Sequence, residues 1–221
     1  MRKRIALYSV VWLLAWCIGW GGFYLLMARN INYVTRPDLT ALYFSAATLA
    51  IVFLSGDLLR TRRVLLKVSW LLFPGLAFAV ALAVYVSFPL LLSPPWPLIV
   101  KNPDMFFLQF NLRYLVSKVF DISFQQMLVL FLLLLLRRGG LSVKGTCCIC
   151  CILFSAPHVF LLDRNGIVMG GYFLAFSLVA GLLFPYVILR FRQGLAYTFS
   201  LHLSFYIFTG ALCWLRPSVL S

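Results

Sequence analysis

The sequence contains no glutamate, and its five acidic residues are all aspartates. Charged residues make up only 11% of the 221 positions, whereas 63% are hydrophobic. A soluble domain of this size has too little interior to bury so much apolar surface. Several apolar runs reach the roughly 20 residues that a helix needs to cross the hydrocarbon core of a bilayer. The composition therefore predicts an all-α polytopic membrane helix bundle and excludes a β-barrel, whose strands give short alternating segments.

The formal charge of +14 comes from Lys and Arg residues that lie in short clusters between the apolar runs. Such clusters are typical of cytoplasmic loops next to anionic lipid. A nucleic-acid-binding domain would instead carry one contiguous basic face on a soluble surface. The charge pattern predicts contact with the lipid bilayer and no nucleic-acid partner. Because the more basic set of loops lies on the same side as Met1, the N-terminus is expected in the cytoplasm.

The alternation of apolar runs and basic loops predicts about seven transmembrane helices. Their expected ranges are 5–27, 39–59, 68–92, 119–136, 145–162, 167–189 and 194–215. Residues 1–92 thus hold three N-terminal transmembrane helices, and residues 119–221 hold a four-helix C-terminal half. The Pro-rich loop at 93–118 separates the two parts, and its aromatic second half predicts an interfacial helix or a re-entrant segment.

Polar side chains within the apolar runs concentrate in the four-helix half, where each needs a partner because unpaired polar groups are costly in lipid. Residues spaced i, i+4 share one face of a helix. The chain's only two histidines occur in such pairs, and histidine suits proton transfer or metal binding. Each residue alone is compatible with a packing role, since polar pairs often join helices. Together they form a candidate catalytic site: Asp121, Gln125 and Gln126 on the fourth helix, Phe154 and His158 on the fifth, and His202 and Tyr206 on the seventh.

Three short motifs follow one another in this half of the chain: FQQMLVL, FSAPH and GLAYTFSLH. Together they resemble the CAAX-protease and bacteriocin-processing (CPBP, Abi-like) family of intramembrane proteases, over about residues 118–210. That family has a four-helix core with a Glu-Glu-x-x-x-Arg motif, followed by Phe-x-x-x-His and His-x-x-x-Asn or Asp. The resemblance implies a CPBP-like core in residues 119–221, a bacterial inner-membrane location, and a substrate pocket bordered by Phe154 and Tyr206.

The chain departs from the family at the catalytic positions. Gln125 and Gln126 stand where the family has its two glutamates. Leu130 stands at the Arg position, and Tyr206 replaces Asn or Asp. An amide has no basic lone pair near neutral pH and cannot act as a general base. The resemblance therefore implies a non-catalytic or strongly altered relative that binds a membrane partner or a hydrophobic peptide.

Two alternatives compete with this interpretation. In the first, Asp121, His158 and His202 form the site of an active divergent intramembrane peptidase, with a divalent metal such as zinc on the two histidines or a water activated by Asp121. Lys118, at i−3, offers Asp121 a plain ion pair instead. With the predicted helix ends, the depths of Asp121 and His202 in the membrane also differ by about 10 Å. In the second, the chain is a small transporter, although no inverted repeat is evident.

Four of the six cysteines form two overlapping Cys-x-x-Cys pairs at the start of the fifth helix: Cys147, Cys148, Cys150 and Cys151. This spacing resembles a zinc or redox motif. Four thiolates on one continuous helix cannot enclose a tetrahedral metal, however. We expect small apolar packing residues at these positions, with acylation at the membrane edge as the alternative.

Overall fold

The fold is given by a computed structural model that describes residues 2–56, 58, 69–103 and 105–217. Within these residues the regular secondary structure is entirely helical, as the composition predicts. In chain order the helices are α1 (Arg2–Ala28), α2 (Pro37–Leu54), α3 (Ser69–Leu91), α4 (Trp96–Lys101), a 3-10 helix (Phe106–Gln109), α5 (Leu112–Arg138), α6 (Val143–Arg190) and α7 (Gly194–Leu215).

Six of these helices are long and apolar enough to cross a bilayer: α1, α2, α3, α5, α6 and α7. Several of them turn large apolar side chains outward, for example Leu25 on α1 and Leu72 on α3, which are 71% and 66% exposed. Lipid tails are as apolar as leucine, so these surfaces suit contact with the hydrocarbon core. The chain is therefore an integral membrane protein of the helical-bundle class.

The longest helix, α6, is folded back on itself. Its 48 residues would span about 72 Å if straight, more than twice the roughly 30 Å of the hydrocarbon core. Gly166 takes φ 77° and ψ 169°, a backbone conformation that is open essentially to glycine alone. Beyond this turn Gly170 lies against the backbone of Leu161, and Gly181 lies against Cys151. α6 is thus an antiparallel hairpin of two apolar arms, in agreement with the two separate helices predicted for this region.

α5 is the central helix of the bundle. It packs against α1, α2, α3, α6 and α7. Within its most apolar 18-residue stretch 72% of the residues are buried, compared with 11% for α1. α1 and α6 both pack against α5 but have little contact with each other. A gap therefore separates these two helices along one side of α5.

Residues 92–103 and 105–111 fold over one end of the bundle, which we call the loop end. The carbonyl of Leu108 accepts a hydrogen bond from the indole Nε1 of Trp214 at 2.6 Å. Asn165, beside the turn of the α6 hairpin, donates to the side chain of Asn102 at 3.2 Å. The segment predicted as interfacial or re-entrant thus contains a short helix and a 3-10 turn, held against the turn of the α6 hairpin and the C-terminal end of α7.

The largest error in the predicted helix ends concerns α5. A start at residue 119 was predicted, but the helix begins at Leu112, where the Asn111 side chain caps it by accepting a hydrogen bond from the backbone N–H of Arg113 at 2.9 Å. The charge of Lys118 hid these first turns from the hydropathy pattern, because a buried lysine is not expected there and the two rings that contact it, Tyr33 and Tyr206, come from other segments. The second helix ends at Leu54 rather than at residue 59.

Gly170→Ala is expected to destabilise the hairpin, because the added Cβ would overlap the opposite arm, 2.6 Å from the Cα of Leu162. Overpacking of this kind costs about 1–3 kcal/mol. Gly171→Ala is the matched control, since the nearest atom to its Cβ would be 4.0 Å away. We expect a lower midpoint of thermal unfolding in detergent for the first variant only. Equal midpoints for both variants would contradict the hairpin packing.

Candidate functional site

A buried carboxylate lies at the centre of the candidate site. Asp121 on α5 is fully buried. Its Oδ2 accepts hydrogen bonds from the Tyr33 hydroxyl at 2.9 Å and the Lys118 ammonium at 2.6 Å. Its Oδ1 accepts one from the Gln125 amide at 2.9 Å. Because Tyr33 belongs to the loop between α1 and α2, the carboxylate connects that loop to α5. It is itself ion-paired and hydrogen-bonded at both oxygens, as a buried charge must be.

The Lys118 ammonium also contacts two aromatic rings. It lies 4.2 Å from the ring centroid of Tyr206 on α7 and 5.2 Å from that of Tyr33. A cation over the face of a tyrosine is attracted by the ring quadrupole. The ion pair that the i, i+3 spacing of Lys118 and Asp121 predicted is therefore present at 2.6 Å, and the aromatic contact links it to a neighbouring helix.

A second polar cluster joins α5 to α7. The Oε1 of Gln126 accepts a hydrogen bond from the Thr198 hydroxyl at 2.8 Å, and its Nε2 lies 3.4 Å from Nδ1 of His202. The buried His202 ring stacks on Tyr206, with 5.6 Å between ring centroids. Gln125 and Gln126, although adjacent in sequence, thus belong to different clusters on two sides of the same helix.

His158 lies on the first arm of α6 and is half-buried. Its Nδ1 donates a hydrogen bond to the backbone carbonyl of Phe154 at 2.9 Å. The Phe154 ring lies 5.7 Å from the His158 ring and 6.4 Å from the His202 ring, between centroids. Both histidines therefore contact the same phenyl ring, where α6 meets α7.

The predicted depth difference of about 10 Å between Asp121 and His202 does not keep the polar groups of α5 and α7 apart. Because α5 begins at Leu112, Asp121 lies about 14 Å inside the helix rather than at its edge. Gln126 follows roughly one turn later and reaches His202 directly. The structure thus brings Asp121, Gln125, Gln126 and His202 together as two adjoining polar clusters that share the Tyr206 ring, whereas His158 contacts Phe154.

Two contributors to these clusters were missing from the sequence-based set. Thr198 lies four residues before His202 on the same helix face, so its spacing could have identified it. Tyr33 carries no such signal. It lies in the loop between α1 and α2, 88 positions from Asp121, and only the tertiary fold brings its hydroxyl to the carboxylate.

The gap between α1 and α6 contains a cavity of about 570 Å³. Its lining is mainly aromatic and aliphatic, and includes Trp12, Trp16 and Trp20 from α1, Leu128 and Leu132 from α5, and Phe154 and Phe184 from α6. The polar part of the lining is formed by Tyr33, Lys118, Gln125, His158, Arg164, Asn165 and Tyr206, among other residues. The predicted pocket residues Phe154 and Tyr206 both line this cavity, whereas Asp121, Gln126 and His202 lie behind its wall.

The residues present do not fit the metal site considered for His158 and His202. The part of the chain that the structure describes contains no group of three or more His, Cys, Asp or Glu side chains able to hold a metal ion. A protein zinc site needs at least three such ligands. Both oxygens of Asp121 are already occupied by hydrogen-bond donors.

The four clustered cysteines face different surroundings, since Cys147 and Cys150 are buried whereas Cys148 is exposed. This agrees with separate packing positions along one helix rather than with a shared metal.

Comparisons of the chain with family models, with curated proteins and with solved structures found no match. The function therefore has to be inferred from the chemistry and the shape of this site.

Asp121→Asn removes the negative charge and leaves Lys118 buried without its counter-ion. Breaking a buried ion pair in this way costs about 3–5 kcal/mol. We expect a loss of this size in the free energy of unfolding, measured by titration with sodium dodecyl sulfate in mixed micelles. The double variant Lys118→Met/Asp121→Leu is expected to recover most of the loss, because no charge then stays buried.

The matched control is Asp38→Asn, which breaks the exposed ion pair with Arg36 at 2.8 Å. Exposed pairs contribute little to stability, so this variant should unfold like the wild type. A loss for Asp121→Asn no larger than that for Asp38→Asn would contradict the structural importance of the buried pair.

Proposed function

We propose that this integral membrane protein binds an extended apolar chain in the cavity between α1 and α6 and does not hydrolyse peptide bonds. The observation that carries the proposal is the cavity itself, which combines an apolar lining with a few polar groups. Ligand sites in proteins are typically of this kind, with a size of about 300–1,000 Å³ and a small number of polar groups that orient the ligand.

The size of the cavity limits what can enter. Its volume of about 570 Å³ is that of a typical site for a small ligand. A single extended chain, such as a short hydrophobic peptide or a lipid chain, fits the available volume.

The polar clusters support binding rather than hydrolysis. The Asp121 carboxylate accepts three hydrogen bonds, one of them from a lysine, and it does not line the cavity, so it is not directed at a substrate water there. Gln125 and Gln126 are amides and cannot take its place as general base. We therefore propose that the chain is a non-catalytic relative of the CPBP intramembrane proteases. The motif residues Gln125 and His158, which line one cavity, support this relationship.

The proposal includes an orientation in the membrane. With the N-terminus in the cytoplasm of a bacterial cell, the basic loops face inward, and the loop end of the bundle lies at the outer face of the inner membrane. Arg164 and Phe106 line the cavity near this end, so the ligand would enter from the outer leaflet.

Ala180→Phe is expected to weaken binding, because Ala180 lines the cavity on the second arm of α6 and the larger side chain would occupy part of it. Binding can be measured by tryptophan fluorescence, since three of the six tryptophans also line the cavity. The probes are a brominated acyl chain and a hydrophobic peptide that carries bromophenylalanine. A probe that binds in the cavity should quench the fluorescence of the wild type saturably. We expect an affinity lower by about tenfold or more in the variant. Ala83→Phe, at an exposed position on α3, should bind normally. If neither probe quenches the wild-type fluorescence saturably, the proposed function is refuted.

No peptide-bond cleavage is expected from the wild-type protein in detergent, because Gln125 and Gln126 stand at the positions of the family's glutamates and an amide cannot act as a general base. Incubation with hydrophobic fluorogenic peptides should release fluorophore at the same background rate for the wild type, His158→Ala and His202→Ala. Cleavage by the wild type that either histidine variant abolishes would instead establish the divergent peptidase.

A further inference from the structure

A histidine in the lining of the cavity has a hydrogen-bond acceptor that the protein does not use. His158 lines the cavity and is half-buried. Its Nδ1 lies 2.9 Å from the backbone carbonyl oxygen of Phe154. Because a carbonyl oxygen can only accept, the proton of the neutral ring is on Nδ1, and Nε2 carries a lone pair. This lone pair can accept a hydrogen bond from a ligand.

Among the residues that the structure describes, no donor reaches Nε2 of His158. The bond to Phe154 is the only hydrogen bond of this side chain there. In the same part of the chain, the buried side-chain N and O atoms without a partner are Thr40 Oγ1 and Ser155 Oγ. Since Nε2 is not one of these atoms, it is accessible rather than enclosed by protein. The residue lines the cavity, so a ligand there can reach it.

We propose that the occupant of the cavity is a single-chain lipid with an uncharged hydroxyl headgroup, which donates a hydrogen bond to Nε2 of His158 and extends its chain between α1 and α6. This inference rests on the proposed function and specifies its ligand. A hydroxyl group supplies the donor that the histidine needs, whereas an ionised carboxylate only accepts.

The surroundings of His158 favour a headgroup without charge. Lys118, which also lines the cavity, is already paired with Asp121 at 2.6 Å, and Arg164 has a partner of its own. His158 lies eight residues before the Gly166 turn, about 12 Å along the helix, and therefore within the roughly 15 Å of one leaflet of the hydrocarbon core. A charge without a counter-charge is costly at this depth, but a hydrogen-bonded hydroxyl is not.

The remaining lining suits an alkyl chain. From Lys118 to Leu132, which both line the cavity, the axis of α5 advances by about 21 Å, more than the depth of one leaflet. The indole rings of Trp12, Trp16 and Trp20 contribute the wall on the α1 side. One chain can thus extend along α5 beside these rings.

A peptide fits this lining less well. An extended peptide brings an N–H and a carbonyl group at each residue, and each unpaired group is costly in an apolar environment. Three donors of the lining are already engaged within the protein: the Tyr33 hydroxyl, the Gln125 amide and the Trp12 indole N–H. A lipid with a terminal hydroxyl brings a single polar group, which His158 satisfies.

The test uses the purified full-length chain in an uncharged maltoside detergent, with tryptophan quenching as the readout. The main probes are a dibrominated long-chain alcohol and its methyl ether, which differ only in the hydrogen-bond donor. The corresponding alkyl phosphate represents an anionic headgroup, and a hydrophobic peptide with bromophenylalanine represents the other ligand class.

We expect the alcohol to bind the wild type about fivefold more tightly than the ether, as one hydrogen bond between neutral groups provides. His158→Phe keeps an aromatic ring but removes the acceptor, so the ratio of the two affinities should fall to about one. His158→Gln should restore most of the difference, because the amide oxygen also accepts. His202→Phe is the matched control, since the only other histidine does not line the cavity, and its ratio should stay at about fivefold.

If His158→Phe does not fold, His158→Met takes its place, and the comparison of alcohol and ether in the wild type needs no variant. Equal affinities of these two probes for the wild type would overturn the hydroxyl headgroup while leaving the proposed function intact. So would a ratio that His158→Phe leaves unchanged. Tighter binding of the alkyl phosphate than of the alcohol would overturn the uncharged headgroup, and saturable quenching by the peptide alone would overturn the lipid. Failure of every probe to bind would remove the proposed function and this inference with it.

Discussion

The carboxylate of Asp121 is the group on which the rest of the site depends. A charge with no exposure to solvent is tolerated only when opposite charge and hydrogen-bond donors surround it. Here Lys118 and Gln125 come from the same helix, and Tyr33 comes from the loop between α1 and α2. Meeting this requirement therefore orders that loop against α5. The ammonium group of Lys118 also contacts the ring of Tyr206, and this contact positions α7.

Around this buried pair the bundle is organised by α5. Five helices pack on it, yet two of them, α1 and α6, hardly meet. The space between them is filled by neither helix and becomes a cavity of about 570 Å³. The close contact of the two α6 arms contributes to this shape, because Gly170 and Gly181 let those arms approach each other. α6 consequently forms a narrow wall beside the cavity.

The two adjacent glutamines show why a motif needs its surroundings before it can be interpreted. In sequence, Gln125 and Gln126 look like a neutral copy of a catalytic glutamate pair. In the structure, one amide donates to Asp121 and the other joins Thr198 to His202. Both are used for connections between or within helices, which a carboxylate pair could not make in the same way because it has no N–H to donate.

Much of the architecture was predictable from the residues alone. The long apolar runs require membrane helices for two reasons. Apolar side chains are unfavourable in water, and backbone polar groups in lipid must be hydrogen-bonded within the helix. Gly166 separates two apolar runs whose combined length exceeds a single crossing. The i, i+4 spacing of Asp121 and Gln125 is sufficient to place both side chains on one helix face. These features are local, so a short stretch of sequence contains all the information that they need.

Only the tertiary structure decided what those faces meet. The start of α5 was predicted too late because the charge of Lys118 suggested a loop. In the structure this charge lies inside the helix, where it is paired with an aspartate and contacts tyrosine rings from two other segments. The contact between Asp121 and Tyr33 joins residues 88 positions apart, and the cavity lies between two helices, α1 and α6, that are even further apart in the sequence. Helix periodicity states which side chains share a face but not which helix lies opposite. Packing between helices determines which helices face each other, and this packing forms the site.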